Sequence, residues 1–167
     1  MKNLIRLIDT LNESLGRWIS WLALAMVLVM GLIVVLRYAF QVGSIALQES
    51  VMYLHGLFFM LALAFGVAQD SHVRVDIVYS QLTAKRQQLI NLVGHCAFLL
   101  PMALLILTTS LPYVNASWRV LEGSSEVGGI PAVFILKTLL PISAVLLILQ
   151  GTASCARLTR QLLDSDQ

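Results

Sequence analysis

Charged side chains make up only 12% of this 167-residue chain, against roughly a quarter in a soluble domain. Too little polar surface remains to keep the molecule in water, which excludes a soluble enzyme, a disordered chain and a nucleic-acid module. Neither sign dominates: eleven Lys/Arg against nine Asp/Glu leave +2, too small a surplus to imply an anionic polymer as partner. The two cysteines, Cys96 and Cys155, form no Cys-x-x-Cys pair, so the motif a disulfide-generating oxidoreductase needs is missing. Both read as small buried packing residues. There is no metal-ligand spacing, glycine-rich phosphate loop or nucleophile motif. With no catalytic constellation, no metal set and no cofactor motif, the chain reads as a non-enzyme.

What is present is 58% apolar residues gathered into four uncharged blocks. These are Trp18 to Leu36, Ser50 to Gln69, Gln87 to Trp118 and Thr138 to Ala156, of 19, 20, 32 and 19 residues. A helix needs about 20 mainly apolar residues to cross a hydrocarbon core of about 30 Å. The blocks lack the alternation of a barrel strand, and lipid offers backbone groups no partner, so only helices can cross here. The expected fold is an all-α integral membrane protein with four transmembrane helices. The first block exceeds a cleavable signal's apolar run and ends at Arg37 without a small-residue cleavage site, so it reads as a retained signal anchor.

Lys and Arg in the short loops set the orientation. The N-terminal tail, the second loop and the C-terminal tail carry eight of them, and the opposite side carries three: Arg37, Arg119 and Lys137. Both termini are therefore expected in the cytoplasm. Leu4, Leu7, Ile8, Leu11 and Leu15 recur at helical spacing opposite Lys2, Arg6, Asp9, Asn12 and Glu13, the pattern of an amphipathic helix lying in the interface. The chain thus reads as one membrane domain. An interfacial helix covers 1–16, and spans cover 18–38, 49–69, 89–112 and 131–156. A cytoplasmic interfacial loop covers 70–88, an outer loop 113–130 and a cytoplasmic tail 157–167.

No Asp, Glu, Lys or Arg falls in the middle of a span, so the buried carboxylate of a small proton-coupled exporter is absent. His55 and His95 do lie within spans and raise the question of a haem. Counted from Glu49 and Arg86, their depths are about 9 Å from outside and about 13 Å from inside, a mismatch of roughly 8 Å for two axial ligands. Interhelical hydrogen bonding is the simpler role. Charge collects instead at the span ends. Arg37 closes the first helix and Glu49 opens the second after 11 residues, so the two are expected to pair or to share a contact with another subunit. On the inner side, His72-Val73-Arg74-Val75-Asp76 reads as a structured corner. Outside, Glu122, Glu126, Gly128, Gly129 and Pro131 form a polar turn leading to Lys137 and the fourth span, within which Pro141 would bend the helix.

Taken together, Arg37-Tyr38, Glu49, the His-x-Arg-x-Asp corner and the Gly129-Ile130-Pro131 approach to Lys137-Thr138-Leu139-Leu140-Pro141-Ile142 resemble the small membrane subunit of TRAP (tripartite ATP-independent periplasmic) transporters, the Q-type or DctQ-like small permease. The resemblance covers about Leu15 to Arg160, and its most specific element is the corner. It implies a bacterial inner-membrane protein without cofactor. Its partners would be a large elevator-type subunit holding the sodium and substrate sites, a periplasmic substrate-binding protein and the lipid bilayer. The small subunit would widen the fixed scaffold and help dock the binding protein. Arg37, Glu49, His72, Arg74, Asp76, Glu126 and Lys137 are then the interface or structural candidates. Two rivals stay open: a haem- or quinone-binding anchor of a redox complex, and a self-sufficient oligomeric transporter.

Overall fold

The computed structural model describes residues 2–69 and 79–164, and all regular structure among them is helical. Helix α1 runs Lys2–Ala39, α2 Ile45–Ala68, α3 Ala84–Gly94, α4 Leu100–Arg119 and α5 Val133–Asp164, with a π-helical turn, His95–Leu99, between α3 and α4. Four stretches are long and apolar enough to cross a membrane: Trp18–Ala39, Ile45–Ala68, Ala84–Arg119 and Val133–Leu163. Each contains most or all of one uncharged block. The π-turn has a local cause. Pro101 lacks the N–H that would bond the carbonyl four residues back, and its ring crowds that carbonyl. The preceding turn widens, and the Leu100 N–H bonds His95 O, five residues back.

α1 and α2 pack as a hairpin, α4 and α5 as a second, and α5 joins the two by lying along α2. Side-chain register fixes the directions. Gly16 of α1 lies under Phe65 of α2, and Gly56 of α2 lies under Leu136 of α5. Further along, Ser143 of α5 faces Met60, and Val67, Ala103 and Leu147 share one apolar cluster. The segments 40–44 and 120–132 therefore share one end of the bundle, the loop end. The first residues of α1 and the last of α5 lie toward the other, the terminal end.

α5 forms most of the core. Leu139, Ser143, Ala144, Leu147, Gln150, Ala153 and Ser154 are buried, at the three- and four-residue steps of one helix face. Small side chains along that face let neighbouring backbones approach. At Gly151 a Cβ would stand only 3.0 Å from Leu100 and 3.1 Å from Leu99. Gln150 is 0% exposed, a polar core residue that hydropathy alone does not single out. Aromatic residues mark both rims, Trp18 and Trp21 toward the terminal end and Tyr38, Tyr113 and Trp118 at the loop end, where amphipathic rings favour the headgroup level.

The helices overrun the expected spans. At 38 residues α1 is about 57 Å long, nearly twice a hydrocarbon core. Residues 1–16 were expected to form a helix of their own; from Lys2 onward they continue into the first span without a break. With Gly16 level with Phe65, the start of α1 extends past the end of α2. α4 continues through Pro112 to Arg119, and α5 runs from Val133 through Pro141 to Asp164, so the connection between them shortens to 120–132. A helix need not stop where the lipid does, because water satisfies its polar side chains beyond that point.

Candidate functional site

The polar groups converge at the loop end. α2 begins behind Ser44, whose hydroxyl accepts the Leu47 N–H at 3.3 Å and caps the first turn. One turn on, Glu49 points across to the 120–132 segment. One of its oxygens accepts the Ser124 hydroxyl, and the other accepts the Ile130 N–H at 2.6 Å. Hydrogen bonds to an ionised acceptor are the strong ones. The segment they hold is shaped from within: the Ser124 N–H donates to Ile130 O at 3.2 Å and the Gly129 N–H to Glu126 O at 3.1 Å. Gly128 takes φ +83°, a left-handed value that glycine adopts without strain. Gly129 must also be bare, since a Cβ there would overlap Ser124 and stand 2.7 Å from the Glu49 carboxylate.

A second tie closes the α4–α5 corner. Leu121, at φ +47°, turns the chain out of α4, and the Glu122 N–H bonds Ser117 O. The Glu122 carboxylate meets the Lys137 ammonium at 2.5 Å, and that ammonium also lies 4.2 Å over the Tyr113 ring. Beside them the Trp118 indole N–H donates to Thr138 at 2.8 Å, and its ring packs edge-on to Phe134 with centroids 4.6 Å apart. Glu49, Ser124, Glu122 and Lys137 thus bind α2, the connection and the α4–α5 hairpin into one rigid end.

Lys137 holds the Glu122 carboxyl below its ordinary pKa. A carboxylate whose pKa is depressed on folding stabilises above its unfolded pKa, and the effect is lost as pH falls through the folded value. Acidification below the usual carboxylate range should therefore loosen residues 120–132. Hydrogen exchange at the Phe134 amide, which bonds Glu122 O, would report this. Lys137→Met should already exchange faster at neutral pH and lose this part of the acid response.

The expected Arg37–Glu49 pair is not formed. Both Glu49 oxygens are taken by Ser124 and Ile130, while Arg37 is exposed and edges a small hollow with Val42, Gly43, Ser44, Leu47 and Gln48. Glu126 contributes its backbone: its N–H donates to Ser124 Oγ at 3.0 Å and its carbonyl accepts Gly129. Lys137 is engaged, but by Glu122, which the sequence reading left out of its candidates. His72, Arg74 and Asp76 lie outside the described residues.

The two histidines are far apart in height. His55 adjoins Gly56, level with Leu136, whereas His95 adjoins Cys96, which touches Cys155. The 19 residues of α5 between those levels span about 28 Å, so the sequence estimate of roughly 8 Å was far too small and one haem cannot take both as axial ligands. His95 Nδ1 lies 2.7 Å from Asn91 O, and His55 stacks on Phe59. Among the described residues no group of three or more His, Cys, Asp or Glu could hold a metal. The cysteines also depart from expectation: Cys96 is exposed, and its Sγ lies 3.3 Å from that of Cys155.

Residues 26–161 match the family model described as tripartite ATP-independent periplasmic transporters, DctQ component. No curated protein and no solved structure shows significant similarity to the chain.

Proposed function

The chain belongs to the DctQ component family of TRAP transporters, and on that premise we propose that it is the non-catalytic scaffold of a sodium-driven system taking up an organic acid. It is a small transmembrane permease subunit, of a family that works in tripartite complexes with a large membrane subunit and a periplasmic binding protein. In this reading the large subunit carries the solute by an elevator-type movement. An elevator shifts only relative to something held still, and a bundle tied at one end by Glu49, Glu122 and Lys137 supplies such a frame. Both termini face the cytoplasm of a bacterial cell. Arg37, exposed at the loop end, and the His72, Arg74 and Asp76 corner on the inner side contact the large subunit, and the 120–132 segment helps seat the binding protein.

One observation carries the reading. Every Asp, Glu, Lys and Arg in the four described membrane-crossing stretches lies near an end of its stretch, and Glu49, Glu122 and Lys137 at the loop end hold this chain's own segments together. Among the described residues that leaves no charged path through the bundle for an ion or an acid. Proteoliposomes test it. With a sodium gradient and binding protein present, this chain alone should take up nothing, and the large subunit should transport well only when this chain accompanies it. Uptake by this chain alone, or equal uptake by the large subunit without it, would overturn the proposal.

A further inference from the structure

Cys96 and Cys155 are 59 positions apart in sequence, yet their sulfurs lie 3.3 Å from each other, both as free thiols. Cys96 sits in the π-turn and is exposed; Cys155 is half-buried on α5. Their level in the membrane follows from the register. Leu147 shares a cluster with Val67, near the end of α2, and Cys155 lies about 12 Å further along α5. Arg157 follows two residues later. The pair therefore stands near the rim of the terminal end, within reach of water and of small polar oxidants.

We infer that Cys96 and Cys155 form an oxidisable dithiol, a modification site that a hydroperoxide closes to a disulfide. The exposed Cys96 gives up its proton and the thiolate attacks the peroxide O–O bond. A sulfur–oxygen bond forms, the O–O bond breaks, and the leaving oxygen takes up the proton that Cys96 lost, departing as the alcohol (water, from hydrogen peroxide) and leaving a sulfenic acid. Cys155, already in contact, attacks that sulfur; the S–S bond forms, the S–O bond breaks, and hydroxide departs with the Cys155 proton as water. In sum, two thiols and one hydroperoxide give one disulfide, one alcohol and one water. The two sulfurs lose two electrons in all and the peroxide gains them. The product staples the α3–α4 junction to α5, and a dithiol reductant reverses it. The inference stands on these two helices alone, whatever complex the chain joins.

The experiment treats membranes holding the intact chain with hydrogen peroxide, then counts each remaining thiol by alkylation and mass spectrometry. Alkylation of Cys96 and Cys155 should fall in parallel within single chains, a peptide joining them should appear, and dithiothreitol should restore both. In Cys155→Ser, Cys96 should stop at a sulfenic acid that dimedone traps. In Cys96→Ser, Cys155 should stay alkylatable. Loss of Cys96 without Cys155 in the unmodified chain, cross-linked dimers through Cys96, or two intact thiols at a dose that fully oxidises glutathione would each overturn the inference.

Discussion

Glu49→Ala is expected to release residues 120–132 from α2 while all four spans stay helical. The substitution removes the acceptor of two donors at once, the Ser124 hydroxyl and the Ile130 N–H, both in partly buried contacts. A donor left without its charged acceptor is costlier than the mean hydrogen bond suggests, because water replaces the lost bond only in part at a partly buried site. Protease cleavage within 120–132 should therefore quicken on the order of tenfold, the scale of losing one charge-assisted bond. Glu49→Gln should fall between, since one oxygen remains to accept while the amide turns a donor toward a donor. Gly129→Ala should resemble Glu49→Ala, because its Cβ would displace the same carboxylate and Ser124. Combining the two should add little, as both break one contact. Unchanged cleavage in Glu49→Ala would mean that the connection holds its shape without α2.

The spans were legible because a bilayer imposes one crude requirement, apolar length, that each block meets independently of every other residue. The Gly128-Gly129 turn was legible for a similar reason: positive φ is a demand on a single residue. The clamp was not. Glu49 reaches Ser124 and Ile130 at sequence separations of 75 and 81, and one of its donors is a backbone N–H, which carries no residue signature. Arg37 drew attention through nearness in the chain and opposite charge, yet the fold gives Glu49 better-placed donors. Glu122 and Lys137 lie 15 apart across a helix end, where no helical period relates them. The cysteine pair depends on where α3 and α5 touch beside a π-turn, and Pro101 was its only local hint.

Gly16→Leu should separate α1 from α2, and its effect can be signed by comparison within one helix. A Cβ at Gly16 would overlap the Phe65 ring, whereas one at Gly31, also in α1, meets nothing within 4 Å. Removing a glycine from a helix interior is worth about 1 kcal/mol in propensity, whatever surrounds it. Forcing atoms into an occupied contact costs about 1–3 kcal/mol and grows with side-chain size. Gly31→Ala, with only the first effect, should raise the midpoint of thermal unfolding in detergent. Gly16→Ala, with both, should leave it near or below the parent, and Gly16→Leu should lower it clearly. Phe65→Ala should recover part of the Gly16→Leu loss by opening the space the leucine needs, which a general weakening of α1 would not allow. If Gly16→Leu proves as stable as the parent, α1 does not lie on Phe65, and the register that carries the start of α1 past the end of α2 fails with it.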